Sequence, residues 1–131
     1  MDITFLTVPD VLRLHEDQVT RYGGEASIRD HGLLHSAVAM PQTSFGGDHL
    51  HEFPHEMAAA YLFHLVQNHP FVDGNKRTGL AAALMFLTLN GYDLQAERKL
   101  VEDLVLAVSQ GQLGKSSVAE FFKDHVVAES D

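Results

Sequence analysis

Apolar residues recur at helical spacing along most of the chain, in blocks separated by turn-forming residues. The first block, VPDVLRLHEDQVTRY, places Val8, Val11, Leu12, Val19 and Tyr22 near one face. Thr7 followed by Asp10 resembles a capping box in which Asp replaces the usual Glu, and Gly23-Gly24 stops the run. A second helix is expected with Asp30 as N-cap, carrying Leu33, Leu34, Ala37 and Val38 until Pro41. PQTSFGGDHLHEFP is rich in turn formers, has no helical stripe, and reads as a loop or short hairpin.

A third helix, PHEMAAAYLFHLVQN, has Pro54 in its first turn and ends at Asn68, because the residue before Pro70 is pushed away from helical angles. A fourth is expected over about residues 75–90, with Gly91 as C-cap. Leu80, Leu84, Met85, Phe86, Leu87 and Leu89 cover most of its circumference, which predicts the central, buried helix. A fifth spans roughly residues 96–110. A sixth begins at Ser116 or Ser117 and carries Val118, Phe121, Phe122 and Val126, the Val126-Val127 end being either an interface or the last turn of a packed helix. Without repeats, low-complexity tracts or linkers, the pattern predicts an all-α bundle of about six helices with a short flap loop or hairpin, one domain over residues 1–131.

Composition narrows the function classes. The chain has no cysteine, which excludes disulfides, thiolate metal sites and cysteine nucleophiles. MDITFLTVPD lacks the basic and apolar regions of a secretory signal, and the apolar run over residues 80–89 is half of what a membrane span needs, so a soluble cytoplasmic protein is expected. A net charge of −9, with no run of Lys and Arg longer than two, argues against nucleic acid as a partner. With the fourth helix buried by the chain itself, no surplus apolar face demands a second copy, and a monomeric catalytic unit is expected.

Against that acidic background stands HPFVDGNKRTG, residues 69–79, between the third and fourth helices. Its loop ends on a helix N-terminus, where unpaired N–H groups and roughly half a positive charge favour an anion. Gly74 permits close backbone approach, the amides near Asn75 and Lys76 can cradle phosphate oxygens, and Lys76 and Arg77 add two full charges. A carboxylate facing phosphates makes most sense as a Mg²⁺ ligand, which gives Asp73 its role. His69 is the one side chain of the loop that takes a proton near neutral pH. Each residue also has an ordinary reading: Asp73-Gly74-Asn75 as a turn, Asn75 as a cap, Lys76-Arg77 as a solvated first turn, His69 as a structural histidine. Their conjunction within residues 69–77 favours transfer of a phosphate-containing group to a hydroxyl.

The stretch resembles the signature of the Fic/Doc superfamily, specifically its Doc ("death on curing") branch. The Fic form reads HPFx[D/E]GNGRxxR, and Doc-like proteins have Lys at the position of Lys76. LHEDQVTRYGG, IRDHGLLHSAVAMPQTSFGG and LMFLTLNGY are also Doc-like, so the likeness covers most of the chain. The resemblance implies His69 as general base, Asp73 as Mg²⁺ holder, Gly74 and Asn75 as the phosphate-binding loop, Arg77 as the arginine on nucleotide phosphates, and Phe71 as the aromatic anchoring the loop. Leu80 stands where AMP-transferring Fic enzymes have a second arginine, and Lys76 fills the space their glycine leaves for the α- and β-phosphates. The implied reaction is therefore that of Doc: ATP reversed, its γ-phosphate transferred to a protein hydroxyl, with elongation factor Tu as target and translation arrest as outcome. Ala81, where Doc can have Asn, and Gln67, where it can have a cation, depart from the pattern. No inhibitory (S/T)xxxE(G/N) motif is present, which fits restraint in trans by a cognate antitoxin. Ser44, Phe45, Gly46 and Gly47 fall where the family carries a flap that aligns the target segment by backbone pairing.

Three other readings compete. A Fic-type adenylyl transferase would use the same base and metal to transfer AMP. A metal-binding module would use His49, His51 and His55 of HLHEFPH for Zn²⁺ or Ni²⁺. An inactive, partner-binding relic of the fold would have no chemical reason to retain His69, Asp73, Asn75 and Arg77 together.

Overall fold

The computed structural model describes residues 2–129. Among them are six α-helices: α1 (Val8–Tyr22), α2 (His31–Ala39), α3 (His55–Asn68), α4 (Asn75–Leu89), α5 (Arg98–Ser109) and α6 (Lys115–His125). Local chemistry sets their ends. Thr7 and Asp10 exchange side-chain and backbone hydrogen bonds as a complete capping box at α1, and the Asp30 carboxylate accepts from Leu33 N–H at α2. A 3₁₀ turn over Met40–Gln42 continues α2 through Pro41.

The turn-rich segment after it is a hairpin of β1 (Ser44–Phe45) and β2 (Asp48–His49). Gly46 and Gly47 have φ of 60° and 88°, the left-handed pair that a two-residue hairpin turn requires. The second strand pair was not legible in the sequence. β4 (Val126–Ala128) follows α6 directly and pairs antiparallel with β3 (Tyr92–Leu94), so the Val126-Val127 end is a strand and not a last helical turn.

The helix at the centre is α3. Eight of its residues, from Met57 to Val66, are buried, and it packs on α2, α4, α5 and α6. The expectation that the fourth helix is central is thereby corrected. Phe86 and Leu87 of α4 are buried, but Leu80 and Leu84 are half-buried and Met85 and Leu89 exposed, so α4 retains an apolar strip at the surface. What α4 buries against α3 is largely small: Gly79, Ala82 and Ala83. No helix among the described residues is long and apolar enough to cross a membrane.

Candidate active site

The functional loop, residues 69–74, joins the two best-packed helices. α3 ends at His69, whose backbone lies in the left-handed region (φ 50°, ψ 54°), an uncommon conformation for a residue with a side chain. Arg29 holds it there: its Nε donates to the His69 carbonyl at 2.6 Å and its terminal nitrogen to the Asn68 carbonyl at 2.9 Å. The strand-like segment before α2 adds backbone bonds. Arg29 and Asp30 N–H donate to the Pro70 carbonyl, Val72 N–H donates to Ser27, and Ile28 bridges Phe71.

Under the loop, Phe71 is fully buried with its ring parallel to that of His15, centroids 3.6 Å apart. His15 is itself buried, and its Nε2 is 2.8 Å from the Asp73 carbonyl oxygen, to which it donates. Asn75, 5% exposed, closes the loop from inside. Its Oδ1 accepts from Phe71 N–H, and its Nδ2 donates both to the Phe71 carbonyl and to His69 Nδ1 at 3.0 Å. The two Phe71 contacts fix the orientation of the amide, so His69 Nδ1 is an acceptor and the neutral ring carries its proton on Nε2. Action of Nε2 as a base requires the exposed ring to turn away from Asn75.

α4 begins without a side-chain cap, after Gly74 at φ 81°. Its first-turn N–H groups at Asn75, Lys76 and Arg77 precede the first intrahelical donor, Thr78 N–H on the Gly74 carbonyl, and so have no intrahelical acceptor. A cleft of about 410 Å³ is lined by His69, Asp73, Gly74, Asn75, Lys76 and Arg77, with Val66, Val72 and Ser109 as its remaining wall. The Asp73 carboxylate accepts from Glu25 N–H through Oδ2, which aims the group and leaves Oδ1 for a ligand. Arg77 lies over the Tyr22 ring, 5.0 Å from its centroid, and separates this cleft from a neighbouring one of about 590 Å³ that Leu80, Ala81 and Leu84 also line.

The structure thus brings His69, Asp73, Gly74, Asn75, Lys76 and Arg77 to one cleft and puts Phe71 beneath it. Ser44, Phe45, Gly46 and Gly47 are exposed and do not themselves line that cleft. The Asn75 side chain is committed to holding the loop, which leaves only its backbone amide for a ligand. Gln67 reaches the Val108 carbonyl and ties α3 to α5. The three histidines of HLHEFPH do not form one cluster: His49 packs at a tilt against Phe5, away from the other two, whereas His51, bonded to Lys115, and His55, facing Glu52, line a common cleft. Sequence reasoning missed His15, Glu25 and Arg29. His15 had a signal, since residues 11, 15 and 19 share a helical face, whereas Arg29 acts from an irregular segment that has no periodicity.

This fold and loop are those of a family. The Fic/DOC family model matches residues 5–87, and the chain belongs to that family, in its Doc branch. It is 43% identical over 100 residues to the Toxin Doc of Mycolicibacterium smegmatis (strain ATCC 700084 / mc(2)155), covering 75% of this chain and 77% of that one. It is 32% identical over 111 residues to the Protein kinase doc of Escherichia phage P1, covering 85% of this chain and 86% of that one.

Proposed function

We propose that the chain is a Doc-type toxin that transfers the γ-phosphate of ATP to a Ser or Thr hydroxyl of a protein, elongation factor Tu being the target, and that a separate antitoxin restrains it. The observation that carries this reading is the convergence of a histidine, a carboxylate, free helix-N-terminal amides and two cations on one cleft, with Lys76 where an AMP-transferring enzyme has glycine. The similarity to a chain named Protein kinase doc supports it.

On this reading the first-turn amides and Arg77 bind phosphate oxygens, and Lys76 on the rim counters the charge of the transferred group. Asp73, with Oδ1 free, would hold a Mg²⁺ ion, which would supply positive charge to neutralise the phosphate oxygens. His69 turns from Asn75 and its ring proton moves through solvent from Nε2 to Nδ1. Nε2 then takes the proton of the incoming hydroxyl as that oxygen bonds to the γ-phosphorus and the β–γ bond breaks to release ADP; proton transfer of this kind contributes roughly 10²–10⁴ in rate. The hairpin Ser44–Phe45/Asp48–His49 offers edge strands to an extended target segment.

The test is transfer from γ-labelled and, separately, α-labelled ATP to purified elongation factor Tu with Mg²⁺. Label from the γ position alone, lost in His69→Ala, is the expected result. Label from the α position would make the chain an adenylyl transferase, and label that survives His69→Ala would remove the histidine from the mechanism.

A further inference from the structure

A second polar cleft, about 480 Å³, lies between the start of α3 and α6, and no residue of the Fic/Doc loop lines it. Glu52, His55 and Glu56 meet on its α3 side, one ligating atom of each lying within 4.8 Å of the others. Glu52 is 72% exposed at its side chain, while His55 is only 14% exposed. Carboxylates outnumber cations around the cleft: Glu120 and Asp124 of α6 add to the two glutamates, against Lys115 and Lys123.

An independent observation comes from His51, which lines the same cleft and is 6% exposed. Lys115 Nζ lies 3.0 Å from its Nε2 and donates to it, so the ring proton sits on Nδ1. That Nδ1–H is buried and has no acceptor among the described residues. Thr78 Oγ1 is the other buried side-chain polar atom without a partner among the described residues, but of the two only His51 lines this cleft. A buried donor left unpaired there marks a place where something else completes the bonding.

We propose that Glu52, His55 and Glu56 bind a Zn²⁺ ion, with a metal-bound water in the open fourth position accepting from His51 Nδ1–H. Two carboxylates and an imidazole suit Zn²⁺, and three protein ligands plus water is its usual open arrangement. Bonds of roughly 2.0–2.2 Å place such ligand atoms about 3.3–3.6 Å apart, so the cluster needs only a small inward closure, which the exposed Glu52 can supply. The ion would clamp the segment leading out of the hairpin to the first turn of α3. It is separate from the Mg²⁺ role proposed for Asp73 and does not depend on the reaction.

The experiment is calorimetric titration of Zn²⁺ into the full chain, stripped with chelator and held in millimolar Mg²⁺. One equivalent should bind at micromolar Kd or tighter, with affinity down at least tenfold in His55→Ala and in Glu52→Gln, and unchanged in Asp73→Asn. Glu52→Gln alters an exposed side chain, so it remains informative if His55→Ala fails to fold. Absence of binding overturns the proposal. So does binding that survives Glu52→Gln and instead disappears in His31→Ala/His35→Ala, which would be adventitious chelation by the exposed pair on α2.

Discussion

Arg29 and Asn75 hold the same loop by different means, and substitutions should separate the two. Asn75 is buried and satisfies both backbone groups of Phe71. Asn75→Ala leaves those groups unpaired in the interior, which costs about 1–3 kcal/mol, so melting temperature and phosphotransfer should fall together. Arg29 lies at the surface, and the carbonyls of Asn68 and His69 that it caps become hydrated once it is gone. Arg29→Met should therefore cost stability only about 1 kcal/mol or less. The loss of its hold on the left-handed His69 backbone should lower kcat at least tenfold with little change in KM for ATP. Arg29→Lys, which keeps the charge but loses the fork, should restore part of the rate. A melting temperature that drops in proportion to kcat would reduce Arg29 to a structural role.

At the level of elements, the interface between α3 and α4 sets the angle at which the motif loop is presented. Gly79 is its closest point: a Cβ there would stand 2.8 Å from Val66 Cγ2 and 3.2 Å from the Leu62 carbonyl oxygen. Gly79→Ala gains about 1 kcal/mol of helix propensity but must push α4 off a backbone atom, at roughly 1–3 kcal/mol. The expected net result is a melting temperature lower by about 3–8 °C, measured by calorimetry; an unchanged or higher value would mean the helices are not in contact there. The same interface explains what the sequence hid. Caps and breakers act locally, so helix ends were legible to within a residue or two. Thr7 and Asp30 are the caps expected, while Pro54 is the N-cap of α3 and not in its first turn, Asn90 and not Gly91 caps α4, and α6 starts from Gly114, ahead of Ser116. Which helix is central was not, because bulky leucines advertise hydrophobicity while the closest packing occurs where residues are small. Ala58, Ala59 and Ala60 in α3 and Gly79, Ala82 and Ala83 in α4 are buried, whereas Met85 and Leu89 are not. The β3–β4 pair was hidden for another reason: it joins Tyr92–Leu94 to a segment more than 30 residues away, and neither strand is long enough to show alternation. That His69, Asp73, Gly74, Asn75, Lys76 and Arg77 would meet in one place was readable because they are close in sequence; Glu25, His15 and Arg29 reach the loop from other segments.

Across the whole molecule, charge is distributed so that the site and the core respond differently to solution conditions. Arg13, Arg21, Arg98 and Lys99 are taken up in exposed helical ion pairs of little energetic weight, whereas Lys76 and Arg77 have no carboxylate partner among the described residues and stay available to an anion. Outside the motif cleft, one cation meets two neutral imidazoles: Lys115 Nζ is 3.0 Å from His51 Nε2 and 3.2 Å from His64 Nε2. Burial, then Lys115 and then His51, push His64 down to about 4 from its ordinary 6.5. Unfolded, His64 takes its proton near 6.5; folded, it stays neutral until about 4. Between those values the unfolded chain binds the extra proton, so this contribution to stability is complete above 6.5 and is lost as the pH falls toward 4. The carboxyl of Asp10, held below 3.8 first by its hydrogen bond to the Thr7 backbone, loses its contribution only at lower pH and does not share this window. Urea midpoints measured in chelator should therefore be level from pH 8 to 7 and decline from 6.5 to 4. His51, also pushed down by burial and then by Lys115, adds to the same decline. His64→Gln, whose amide oxygen can still accept from Lys115, should therefore make it shallower without abolishing it; an equally steep decline in the variant would place its origin outside His64.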